Sequence, residues 1–149
     1  MSIALIPAHG YVVATVAASW ALHHGVLAVK VMSARKKYGV KYPDLYATEQ
    51  NCKDPVARNL FNCVQRGHQN ALENHATFLA LLMTAGVRFP VTASIAGVAY
   101  LLGRYLYQVN YGSGDPSKRS NGAPIQYGGL FTLLGCVIRF SYELLAGKL

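Results

Sequence analysis

The chain is short of charge, above all of negative charge. Asp and Glu number 6 against 14 Lys and Arg in 149 residues, and charged residues reach only 13% of the chain. Soluble domains carry about 25%, so half the usual solvating charge is missing. A nucleic-acid-binding domain matches the net charge of +8 but not that shortage. Intrinsic disorder is excluded by a hydrophobic content of 52%, because disordered chains are poor in apolar residues. Cysteine is scarce as well. Cys52, Cys63 and Cys136 show neither CxxC nor Cys/His spacing, which argues against a disulfide framework and against a zinc site. They read as reduced thiols, and no metal is expected. Sustained period-2 alternation, internal repeats and low-complexity segments are all missing, which argues against a β-barrel. What is present is a positive mean hydropathy of +0.23 and a charge that is mostly basic. Together these describe a membrane protein with basic loops.

The placement of the charges divides the chain. Gly10 to Val29 carries none, about 20 residues and the length of one membrane-spanning helix. Asn74 to Gly103 carries only Arg88, followed by Pro90. That run is too long for one span and fits two helices meeting at Arg88-Phe89-Pro90, since proline starts or ends helices. Ser120 to Ile138 is uncharged again. The expected fold is therefore all-α: an integral membrane four-helix bundle, one domain over 1–149, with helices at about 9–33, 59–87, 91–112 and 124–146. Nothing basic precedes the first apolar run, whose length exceeds a signal-peptide core, so it is expected to be a retained span. With four spans, Arg35, Lys36, Lys37, Arg66, Lys118 and Arg119 share one face, while the other holds only Arg88 and Lys148. The positive-inside rule assigns the basic face, with the first and third loops, to the cytosol.

Polar groups at membrane depth are costly and mark candidate sites. Arg66, Asn70 and Glu73 fall at i, i+4 and i+7, one stripe of a helix, and Asn62 extends it. A cation, an amide and a carboxylate in line suit a zwitterionic ligand. An ion pair between Arg66 and Glu73 satisfies the same residues without one. Tyr100, Arg104, Tyr107 and Tyr111 form a second stripe. Interfacial tyrosines are ordinary, but Arg104 lies about two turns inside its span and needs a buried partner, with Glu73 the nearest in sequence. The loop Gly114-Asp115-Pro116-Ser117-Lys118-Arg119-Ser120 reads as a turn placing a cation pair before the last span. The topology brings all three groups and Arg35 to one membrane face. The result is an expected pocket where an anionic, water-soluble ligand meets a lipid-soluble one. His23 and His24 point to different faces of a helix and are read as packing or interhelical hydrogen bonding. Arg139 and Glu143 are read as a mutual pair.

Several of these segments resemble one family. Arg66-Gly67-His68-Gln69-Asn70-Ala71-Leu72-Glu73 resembles the Arg-Ala-His-x-Asn-x-x-Glu motif of the MAPEG family, membrane-associated proteins of eicosanoid and glutathione metabolism. Ser33-Ala34-Arg35-Lys36-Lys37-Tyr38, Lys41-Tyr42-Pro43 and Asp115-Pro116-Ser117-Lys118-Arg119-Ser120 add to it, and the last two resemble its microsomal glutathione S-transferase type 3 branch. The resemblance implies a homotrimer in the endoplasmic reticulum membrane, with glutathione bound between subunits as co-substrate. The implied partners are a hydrophobic electrophile or lipid hydroperoxide and membrane lipid, with no nucleic acid. It implies glutathione ligands at Arg35, Arg66, His68, Asn70, Glu73, Tyr107 and Tyr111. It implies the thiolate-stabilising cation at Arg119, preferred to Lys118 because a guanidinium stays charged and donates several hydrogen bonds. Asn74 departs from the Tyr of leukotriene C4 synthase-like members. The implied activity is glutathione transfer with glutathione-dependent peroxidase activity. The alternative is a non-catalytic lipid-binding scaffold of the five-lipoxygenase-activating type.

Overall fold

A computed structural model describes residues 4–148, and these are helical and free of strands. Helix α1 spans His9–Tyr38, α2 Pro55–Arg88, α3 Pro90–Tyr111 and α4 Ala123–Leu145. A 3-10 turn, Pro116–Gly122, leads into α4. The first helix runs past its expected end because Ala34-Arg35-Lys36-Lys37 are good helix formers. It stops at Gly39, whose φ of 71° only glycine adopts without strain. The second starts earlier than expected: Asp54 Oδ1 accepts from the Val56 N–H at 2.9 Å, with Pro55 in the first turn. Pro90 closes α2 and opens α3 within a single-residue hinge at Phe89.

Two of these helical segments, His9–Tyr38 and Pro116–Leu145, are long and apolar enough to cross a membrane. The other two carry the polar stripes, which dilutes their hydropathy.

Helix α3 packs against each of the other three. The main core joins Val12, Phe78, Leu82, Ala93, Tyr100 and Leu133, and Phe78 stacks on Tyr100 with ring centroids 4.2 Å apart. Small residues let α4 approach α3 closely. A Cβ on Gly129 would collide with the Ala96 carbonyl and sit 2.7 Å from the Tyr100 nitrogen. Gly129→Val is therefore expected to cost about 1–3 kcal/mol, read as a lower melting temperature in detergent. An unchanged melt would show that the two helices are free to separate.

A smaller core of Ala34, Val40, Ala47, Cys52 and Phe61 pins the first loop to the bundle. Asn62 clamps that loop, accepting from the Ala47 N–H at 2.7 Å and donating to its carbonyl at 3.0 Å. At the opposite end, Glu143 pairs with Arg139 at 3.0 Å, as expected, and also with Arg88 at 2.7 Å. The second pair ties the α2–α3 hinge to α4.

Helix α1 is not uniform. Ala21–Leu27 is wound as a π-helix, a form found mostly as short insertions at functional positions. His68 Nε2 donates to the His23 carbonyl inside this segment at 3.0 Å. His23 is fully buried and stacks on His75, centroids 4.1 Å apart, while His24 lies on the exposed side.

Candidate functional site

A cavity of about 340 Å³ opens at the basic end of the bundle, between α2, α3 and the turn before α4. Small-ligand pockets run from about 300 to 1,000 Å³. Its walls are polar: Asn70 and Asn74 from α2, Arg104 and Tyr107 from α3, Arg119 and Ser120 from the turn, Gln126 and Tyr127 from α4.

Arg104 is the deepest cation, only 2% exposed. Its Nη1 donates to Asn70 Oδ1 at 2.7 Å and its Nε to the Tyr100 hydroxyl at 3.0 Å. Both partners are neutral, which corrects the expectation of Glu73. That carboxylate is held by Arg66 at 2.8 Å, because i and i+7 on one helix place the two within reach before α3 arrives. Among the described residues this guanidinium thus sits buried with hydrogen bonds but no counter-charge, an arrangement that leaves positive potential facing the cavity.

Arg119 is the second cation. It reaches the cavity from an exposed turn, with Nη1 on the Pro116 carbonyl at 3.1 Å. Its neighbour Lys118 is turned to Asp115, Nζ to Oδ2 3.9 Å, and does not line the cavity. Asp115 organises the turn: its Oδ1 accepts from the Ser117 hydroxyl at 2.6 Å and the Ser117 N–H at 3.0 Å. These bonds, and then the Lys118 charge, hold its carboxyl below the usual range. A depressed carboxyl contributes stability above the ordinary carboxylate range, and that stability is lost as pH falls through the lowered value. Protection of the Ser117 amide, measured against its intrinsic exchange rate, should therefore be lost only in acid. Asp115→Ala should remove that protection at neutral pH too, and identical protection profiles for the two proteins would sink this account.

Of the residues anticipated from sequence, the cavity gathers Asn70, Tyr107 and Arg119. Tyr111 packs edge-on against Tyr107, centroids 5.6 Å apart. The rest lie outside it within this one chain. Arg35 is buried where α1 meets the first loop, donating to the Asp44 carbonyl at 2.7 Å with its guanidinium 4.4 Å from the Tyr42 ring centroid. Arg66 and Glu73 pair on the outer face of α2, each about half exposed. His68 braces the π segment of α1.

Gln126 escaped the sequence reading. It is buried and lines the cavity, and its Oε1 has no hydrogen-bond partner among the described residues. A buried acceptor without a donor is costly, and Gln126 carries that cost while adding an amide to the cavity wall. A lone amide in the otherwise apolar start of the last span was the available signal.

A bundle of long helices, strand-free among the described residues, with a cationic, amide-lined cavity at one end defines a small helical membrane protein. The chain belongs to the MAPEG family, whose model matches residues 13–139. It is 32% identical over 120 residues to human microsomal glutathione S-transferase 2, covering 78% of this chain and 74% of the human protein. It is 39% identical over 87 residues to an uncharacterised protein of Synechocystis sp., covering 58% of this chain and 56% of that protein. The chain thus spans about half the length of the Synechocystis relative.

Proposed function

We propose that this protein is a membrane-bound glutathione transferase. It activates glutathione as the thiolate and conjugates it to hydrophobic electrophiles, or uses it to reduce lipid hydroperoxides. The observation that carries this reading is the cavity with two guanidinium groups, Arg104 and Arg119, neither paired with a carboxylate among the described residues. Glutathione brings two carboxylates, an ammonium and a thiol. Arg104 suits a ligand carboxylate, Gln126 adds an amide to the wall, and Tyr107 offers a hydroxyl. The similarity to a human microsomal glutathione S-transferase supports the same substrate.

The chemistry needs little more than electrostatics. A free thiol has a pKa of about 8.5, so little thiolate is present at neutral pH. A guanidinium beside the sulfur favours the anion, and each unit of lowering corresponds to about 1.4 kcal/mol. Arg119 supplies this cation and the proton leaves to water. In conjugation the sulfur lone pair forms the S–C bond while the electrophile's leaving group departs or its ring opens. In peroxide reduction the thiolate attacks the distal oxygen and the O–O bond breaks. This gives an alcohol and a sulfenic acid, which a second glutathione converts to disulfide and water.

Arg35, Arg66, His68 and Glu73 remain assigned to glutathione through assembly. We place the working unit as a homotrimer in the endoplasmic reticulum membrane with its basic face toward the cytosol. There a neighbouring copy completes the cavity, and the exposed Arg66–Glu73 pair opens to meet the ligand. The test is purified protein assayed with glutathione plus an aryl halide and, in parallel, a lipid hydroperoxide, alongside glutathione binding by calorimetry. Binding with turnover of at least one electrophile is expected. Absence of binding in a correctly folded, trimeric preparation overturns the proposal.

A further inference from the structure

A second cavity, about 350 Å³, lies on the other side of α3, where α1 meets α2 and α3. Arg104 and Tyr107 face the glutathione cavity, whereas Val109 and Gly112 line this one, so the two do not merge. Its floor is apolar, formed by Val29, Val64 and Val109, and its upper wall is basic, formed by Lys30 and Lys37. The lysines fall at i and i+7, on one stripe of α1.

Among the described residues neither lysine has an anionic partner. The carboxylates are engaged elsewhere: Glu49, Glu73, Asp115 and Glu143 with other cations, Asp44 with Asn51, and Asp54 as the cap of α2. Lys30 rests over Tyr105, Nζ 4.6 Å from the ring centroid, and Lys37 over Tyr38 at 5.1 Å. These rings position the ammonium groups without neutralising them. The groove therefore combines an unbalanced double positive charge with a mainly apolar lining, beside a helix apolar enough to cross a membrane.

We propose that this groove binds a phospholipid with an anionic headgroup. The phosphate sits between Lys30 and Lys37, and an acyl chain lies along Val29, Val64 and Val109. Charge selects this occupant: Lys30 and Lys37, without an anionic partner among the described residues, complement a phosphate. The apolar floor distinguishes a lipid from a soluble anion, which would leave those valines wet. Basic pockets between membrane helices are known to take anionic headgroups in this way.

The experiment uses the full chain in a neutral detergent. Bound lipid is counted by native mass spectrometry with phosphatidylglycerol or phosphatidylcholine of identical acyl chains. Phosphatidylglycerol is expected to be retained about tenfold better at low salt, and glycerol 3-phosphate at equal concentration should not displace it. Lys30→Gln with Lys37→Gln should erase the preference, whereas Lys41→Gln with Lys53→Gln, an equal loss of charge outside the groove, should keep it. Val109→Trp, which fills the slot and leaves both lysines, should lower retention of both lipids. Three results each overturn the proposal: equal retention of the two lipids, equal loss in the two lysine pairs, or displacement by glycerol 3-phosphate.

Discussion

Arg119→Ala is expected to abolish the ultraviolet absorbance of bound glutathione thiolate and to lower turnover by about two to three orders of magnitude. The residue reaches the cavity on a turn that Asp115 holds in place, and truncation removes the charge without disturbing a helix. Glutathione should still bind through Arg104 and the amides, so the loss falls on kcat more than on KM. Lys118→Ala is the matched control. Its ammonium faces Asp115, and both readouts should stay close to those of the parent. The reverse pattern, with Arg119→Ala active and Lys118→Ala dead, would move the sulfur-stabilising role to the lysine.

Arg104→Met is expected to weaken glutathione binding by about tenfold to a hundredfold, the loss of a charged hydrogen bond, while the melting temperature holds or rises. Both halves come from one observation: a guanidinium 2% exposed, hydrogen-bonded among the described residues only to Asn70 and Tyr100. Burying a charge without a counter-charge costs stability, and an apolar side chain of similar length relieves that cost. A protein keeps such a residue when the charge serves a ligand. Calorimetric titration and a thermal melt on the same preparation decide the matter. Unchanged affinity removes Arg104 from the site, and a sharply lowered melt makes it a structural residue.

Scarcity of charge was enough to read four helices and the hinge at Pro90. Both rest on local rules: apolar length and the missing N–H of proline. The stripe on α3 was legible for the same reason, since i, i+4 and i+7 spacing is a property of one helix. Pairings between helices were not legible. Spacing offered Glu73 to both Arg66 and Arg104, and only the packed bundle shows that Arg66 takes it and leaves Arg104 to Asn70. Arg35 and His68 look like ligand-facing residues in sequence, yet within this chain they secure the first loop and helix α1. Their carbonyl partners, on Asp44 and His23, carry no side-chain signature. Gln126 was hidden in the uncharged run from Ser120 to Ile138, which reads only as a span.

The π-wound stretch of α1 has a consequence for phase. Buried positions in this helix step by four from Thr15 through Ser19, His23 and Leu27 to Val31. In α geometry each such step overshoots a full turn by about 40°, and four of them would carry the inward face almost to the opposite side. The wider winding of Ala21–Leu27 takes that overshoot back, like a vernier between two rulers. It keeps Val12 aimed at the main core while Ala34 and Arg35 reach the first loop. Register along the whole helix thus depends on one local change of pitch, and His68 is the brace that holds it.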